Sequence, residues 1–157
     1  MKSLIFLRHA KTEHLYDAPN DFGRNLTENG RRTAQKVSEI FSENKIQPDV
    51  ILCSTANRTR QTLDIFLQNN DCKPDILMLE NLYLASASDI YSIIQSYKKY
   101  NAIMVIGHND GLSLLASMLS AKDCPTLSTS ALIVFNFKKE IELEKGNIEL
   151  FINPKAL

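Results

Sequence analysis

Ser3-Leu4-Ile5-Phe6-Leu7-Arg8-His9 is the stretch that decides the fold. Ser3 to Leu7 is a short apolar run with no helical spacing, and it reads as a buried strand. It ends abruptly on two cationic or titratable side chains. Three similar runs follow: Val50 to Cys53, Asp75 to Leu79, and Ala102 to Ile106. Between them lie segments with apolar residues at helical spacing. Thr27 can cap a helix from about Glu28 to Ser42, carrying Ala34, Val37, Ile40 and Phe41 on one face. A second helix starts near Arg58 with Leu63, Phe66 and Leu67 on its face. Ser88 is positioned as the cap of a third, carrying Ile90, Ile93, Ile94 and Tyr97, and Leu112, Leu115, Ala116 and Leu119 mark a fourth. Ala131–Phe137 and Ile148–Ile152 read as closing strands, antiparallel to the rest. Lys11 to Asn25 is polar, holds Pro19 and Gly23, and reads as a loop.

Strand–helix alternation of this kind predicts an α/β fold, with a mainly parallel sheet between helical layers. In such sheets ligands bind beyond the carboxyl ends of the strands. Arg8 and His9 stand directly after the first strand, Arg58 five residues after the second, Glu80 directly after the third, and His108 two residues after the fourth. The topology therefore gathers two arginines, two histidines and a carboxylate at one edge. Two guanidiniums can clamp a dianionic group through bidentate hydrogen bonds. Histidines can act as nucleophile, acid, base or donor near neutral pH, and a carboxylic acid can protonate a leaving group. The set suits phosphoryl transfer, which depends mostly on positioning and charge stabilisation. It calls for no metal or cofactor.

Composition bounds the partners. The chain has 157 residues, which predicts one domain over 1–157. Apolar residues make up 44% and charged ones 23%, enough for a packed core. Eighteen basic side chains balance eighteen acidic ones, which removes the usual footprint of a nucleic-acid binder. No apolar run approaches the roughly 18 residues of a membrane span. Cys53, Cys72 and Cys124 are odd in number and widely spaced, which suits reduced thiols and a cytoplasmic setting.

Four sequence blocks carry a resemblance. Leu7-Arg8-His9-Ala10-Lys11-Thr12 is similar to the Arg-His signature of the histidine phosphatase superfamily, also called phosphoglycerate-mutase-like. Gly23-Arg24-Asn25-Leu26-Thr27-Glu28-Asn29-Gly30 resembles its Arg-x-Leu-Thr-x-x-Gly segment. Ser54-Thr55-Ala56-Asn57-Arg58-Thr59-Arg60-Gln61-Thr62 resembles its Ser-x-x-x-Arg-x-x-Gln-Thr segment, and Gly107-His108-Asn109 its last block. The order and spacing run from Ser3 to about Ser130. The small size and the Arg-His-Ala-Lys form resemble most the SixA branch, the phosphohistidine phosphatases.

The resemblance implies a three-layer α/β/α sandwich and a phosphatase that works through a phosphohistidine intermediate. It implies that His9 attacks phosphorus, that Arg8, Arg58 and His108 hold the transferred group, and that Arg24 helps bind phosphate. Ala10 departs from the commoner glycine. The acid is a further departure: Glu80 stands near the position where larger relatives carry one, but Glu80-Asn81-Leu82-Tyr83 does not reproduce their motif. Asp17, Asp21 and Asp110 are the weaker candidates for the acid. Arg60 and His14 read as solvated charges, and Lys11 either touches phosphate or caps a loop.

The short connection from Glu80 to Ser88 leaves little to cover the site, which suits a phosphohistidine on a protein surface. Three readings stand at this point: a phosphatase of protein phosphohistidine, a phosphatase of a small phosphorylated metabolite, and a non-catalytic phosphate-binding module. The intact Arg8, His9, Arg58 and His108 set weighs against the third.

Overall fold

A computed structural model describes all of residues 1–157. The elements run β1 (Lys2–Arg8), α1 (Glu28–Ser42), β2 (Val50–Ser54), α2 (Asn57–Asn69), β3 (Asp75–Leu79), α3 (Ala87–Ser96), β4 (Ala102–Gly107), α4 (Gly111–Leu119), β5 (Leu132–Phe137) and β6 (Asn147–Ile152). The six strands form one sheet in the order β3-β2-β4-β1-β5-β6. The β3-β2, β2-β4 and β4-β1 pairings are parallel, while β5 and β6 close the sheet antiparallel.

The central strands are apolar on both faces because each face is covered by a helix pair. Alternate residues point to opposite sides. Leu4, Phe6, Val50, Leu52, Ile103 and Val105 pack with Ile90, Ile94, Leu112 and Leu115 of α3 and α4. Ile5, Leu7, Ile51, Cys53, Met104 and Ile106 pack with Val37, Phe41, Leu63 and Phe66 of α1 and α2. The result is the expected α/β/α sandwich. No helix is long and apolar enough to cross a membrane.

Helix starts follow local chemistry. Thr27 caps α1 as read, its hydroxyl accepting from the Gly30 amide at 2.9 Å. The cap of α3 is corrected from Ser88 to Ser86, whose hydroxyl accepts from the Asp89 amide at 3.1 Å. Starting one turn-fraction earlier turns Ala87 as well as Ile90, Ile93 and Ile94 into the core. Gly30 is dictated by packing: a Cβ there would lie 2.2 Å from the Lys11 carbonyl oxygen. This contact seats the first turn of α1 against the chain leaving β1.

A candidate active site at the carboxyl edge of the sheet

β1 and β4 lie side by side at the middle of the sheet, in register from Ser3–Ala102 to Arg8–Gly107. Their carboxyl ends deliver Arg8, His9 and His108 to one place. The His9 amide donates to the Gly107 carbonyl at 3.2 Å, which continues the pairing one residue past the strand. The two imidazoles end with centroids 5.4 Å apart. On the other flank, Ser130 takes a positive φ of 64° and donates its amide to the carbonyls of Arg8 and His9, at 3.2 and 3.1 Å. Both sides of the β1 terminus are thereby fixed.

Arg58 enters from the second turn-position of α2, and its side chain is only 3% exposed. The same helix steadies the nucleophile candidate: Thr62 accepts from the Ala10 amide at 3.0 Å and donates to the Arg58 carbonyl at 2.7 Å. Arg24 arrives on the loop before α1, with Nε donating to the Glu13 carbonyl at 3.0 Å and a second nitrogen to the Thr12 hydroxyl. Arg8, His9, Arg24, Arg58 and His108 all line one cavity of about 400 Å³, with Lys11, His14, Asp21 and Leu84 also on its wall.

Burial governs the charge states here. Burial first, then the arginines Arg58, Arg8 and Arg24, push the His9 imidazole down to about 4, against a raising hydrogen bond to Ala10. The dominant cause is therefore desolvation, with like-charge repulsion behind it. At neutral pH His9 Nδ1 carries the proton and donates to the Ala10 carbonyl at 2.8 Å, leaving Nε2 with its lone pair. Burial and Arg58 push His108 to about 3. Its Nε2 lies 2.7 Å from the Ser54 hydroxyl, while its buried Nδ1 has no partner. Arg8 is likewise lowered by burial; it donates to the Leu127 carbonyl at 3.1 Å, and its Nε is unpartnered.

The structure does not bring Glu80 to this group. Glu80 lies in a 3-10 turn over Glu80–Leu82, its side chain is exposed, and it is not on the cavity wall. The carboxylate at the site is Asp21. It accepts from Arg24 and Arg58, each at 3.1 Å, and from the Tyr83 hydroxyl, and its backbone carbonyl accepts from Arg58 at 2.7 Å. Burial would raise its pKa, but these hydrogen bonds outweigh it and hold the carboxyl at about 2. Tyr83 was not singled out from sequence. Its ring stacks edge-on with His108 at 5.5 Å and with Phe22 at 5.0 Å, and lies 5.8 Å from the Arg58 guanidinium carbon. The turn that fails to present Glu80 presents Tyr83 instead. No three His, Cys, Asp or Glu side chains converge to hold a metal ion.

Comparison with known proteins agrees with this arrangement. Residues 4–82 match the model of the histidine phosphatase superfamily (branch 1). The chain belongs to that superfamily. Its reaction class is accordingly that of a phosphatase. An uncharacterized chloroplastic protein of Arabidopsis thaliana is 31% identical over 146 residues, covering 87% of this chain and 67% of that one. A structure from Agrobacterium tumefaciens assigned as the phosphohistidine phosphatase SixA superposes with a TM-score of 0.87 at 25% identity, over 98% of each chain. A structure from Escherichia coli assigned as an α-ribazole-5′-phosphate phosphatase shares the fold at a TM-score of 0.69 and 14% identity, again over 98% of each chain. The chain thus shares its architecture both with a protein assigned as a phosphohistidine phosphatase and with one assigned as an α-ribazole-5′-phosphate phosphatase.

Proposed function

We propose that this superfamily phosphatase, acting as one domain over residues 1–157, removes the phosphoryl group from phosphohistidine on a protein, through a phosphohistidine intermediate on His9 and without a metal. The observation that carries the reading is the state of His9. It is neutral, its Nδ1 is committed to a carbonyl, and it sits with two arginines and a second histidine around one cavity.

His9 Nε2 attacks phosphorus in line and the bond from phosphorus to the substrate imidazole breaks. The departing nitrogen takes the electron pair and a proton from solvent. Asp21, held ionised by three hydrogen bonds, is no donor in this step. Arg8 and Arg58 stabilise charge on the phosphoryl oxygens, as positioned donors do in phosphoryl transfer. With the Ser54 hydroxyl as donor to His108 Nε2, 2.7 Å away, the ring proton sits on Nδ1, the nitrogen without a partner, ready for a phosphoryl oxygen. Water then attacks the intermediate, releases inorganic phosphate and restores neutral His9.

Substrate size supports the protein reading. Residues 80–86 alone connect β3 to α3, and Glu80–Leu82 of them form a tight turn, so this connection builds no lid over the cavity. An imidazole leaves more readily than an alkoxide, which fits a site with no poised acid. Three unpaired cysteines suit a reducing, cytoplasmic setting. The fold shared with a phosphatase assigned to a small phosphorylated metabolite favours the second reading, hydrolysis of such a metabolite. The deciding assay is phosphate release from a histidine-phosphorylated carrier protein by wild type and His9→Ala. Release by wild type alone is expected. No release by wild type, at enzyme levels that hydrolyse an aryl phosphate, refutes the phosphohistidine reading in favour of the metabolite.

A further inference from the structure

Beside the phosphate cavity lies a second, smaller groove of about 210 Å³ that the reaction above does not use. It runs between the first turns of α1 and the Ser128–Ser130 segment, and the C-terminal turn at Pro154–Ala156 closes its far side. Lys11 and Thr129 line both spaces, so the two lie side by side. The groove has a definite chemistry. Lys11 and Lys155 carry its charge, no acidic side chain lines it, and neither lysine is in any of the chain's ion pairs. Asn29, on the first turn of α1, brings the positive end of that helix to the wall. Hydroxyls of Thr33, Ser128, Thr129 and Ser130 supply the rest.

Ser130 provides the independent observation. It is 1% exposed, lines the groove, and its hydroxyl has no partner within the chain. Its positive φ is held by the amide bonds to Arg8 and His9, so its position is tied directly to the nucleophile strand. Buried hydroxyls are normally paired, and one without a partner just behind a cationic wall suits an acceptor that settles against that wall.

We propose that this groove is a specificity subsite for a second anionic group of the substrate, a side-chain carboxylate flanking the phosphorylated residue, and this rests on the phosphoprotein reading above. The space is that of one side-chain head. The carboxylate accepts from the Ser130 hydroxyl and pairs with Lys11 and Lys155, while the phosphoryl group lies against His9. Exposed lysine–carboxylate pairs are individually weak and are screened by salt. The preference they create is therefore modest, on the order of fivefold in kcat/KM, and expressed in KM.

The test uses histidine-phosphorylated peptides with a single Glu placed at successive flanking positions, each paired with its Gln counterpart. They are assayed against the wild-type chain, Lys155→Gln and Lys155→Glu. Lys155 is exposed and does not line the phosphate cavity. Wild type is expected to favour Glu over Gln about fivefold at one position. Lys155→Gln reduces that preference, Lys155→Glu abolishes it, and p-nitrophenyl phosphate turnover is the same in all three proteins. Equal rates on Glu and Gln peptides at every position, or a preference that survives Lys155→Glu, overturns the subsite. If wild type hydrolyses p-nitrophenyl phosphate but neither the peptides nor the histidine-phosphorylated carrier protein, the phosphohistidine reading fails by itself. The same peptides are then read as competitive inhibitors. Tighter inhibition by the Glu member, lost in Lys155→Glu, upholds the subsite, and equal inhibition overturns it.

Discussion

Asp21→Asn separates the two tasks of the arginine cluster, holding the fold and awaiting an anion. Arg58 is the sensitive partner. Its side chain is 3% exposed, its Nε has no partner, and both terminal nitrogens find theirs in Asp21 alone. Asparagine keeps one acceptor oxygen but presents an NH₂ to a cluster already rich in donors. A hydrogen bond to a charged group is worth about 1.5–3 kcal/mol. Arg24, at 26% exposure, recovers its share from water, whereas Arg58 does not. Asp21 itself is 36% exposed, which discounts the electrostatic part. The net loss is therefore about 2 kcal/mol, nearly all of it from Arg58. For a chain of this size that lowers Tm by roughly 4–8 °C.

Phosphate supplies the diagnostic. The variant leaves a cavity lined by three arginines without its resident carboxylate, so inorganic phosphate binds it more tightly than it binds wild type. A ligand at a hundredfold over its Kd adds about 2.7 kcal/mol of stability. Urea unfolding of both proteins, with and without phosphate, is expected to show a gap that narrows as phosphate rises. An unchanged Asp21→Asn stability without phosphate refutes the reasoning. So does a gap that stays constant across the titration, because the carboxylate would then not be standing where an anion belongs.

Three further outcomes follow from the same geometry. Ser54→Ala removes the hydroxyl paired with His108 Nε2, and is expected to lower kcat by about ten- to a hundredfold with KM little changed, measured by steady-state kinetics on an aryl phosphate. Gly30→Ala places a Cβ 2.2 Å from the Lys11 carbonyl oxygen, and is expected to cost about 3 kcal/mol or more in urea unfolding, since backbone cannot yield as a flexible side chain does. His9 and His108, lowered to about 4 and about 3, both lie below their unfolded value of about 6.5. Their stabilisation is complete above pH 6.5 and is lost as pH falls from there through 4 toward 3, on the order of several kcal/mol together, and denaturation followed against pH in wild type and in His9→Gln tests it.

Most of the fold was readable because the central strands leave little choice. A run such as Leu4 to Leu7, fully buried on both faces, cannot serve as a surface helix or a loop. Thr27 and the Ile40–Phe41 spacing likewise identify α1 without reference to the sheet. The α3 cap is not decided locally, because Ala85-Ser86-Ala87-Ser88 offers two hydroxyls two residues apart, and either start leaves the isoleucines facing inward. The choice between them is made by the seating of Ala87 in the core, which is a tertiary fact.

The site divides along the same line. Arg8, His9 and His108 were legible because residues at strand ends inherit their position from the sheet, whatever the loops do. Glu80 met that criterion as well, and the structure turns it outward. β3 is the edge strand of the sheet, separated from β1 by β2 and β4, and its carboxyl end leads into a tight turn after which Tyr83 faces the arginines. Asp21 lay in a polar loop with no periodicity, and nothing local marks it off from Asp17. Its place is decided by what it must neutralise. Arg58 is buried in a cavity whose histidines are held uncharged, so a carboxylate is needed nearby while no phosphoryl group is present. The loop between β1 and α1 is the segment that passes over that cavity. Reading such a residue from sequence therefore requires asking which buried cation lacks an anion, a question that arises only after the cations have been placed.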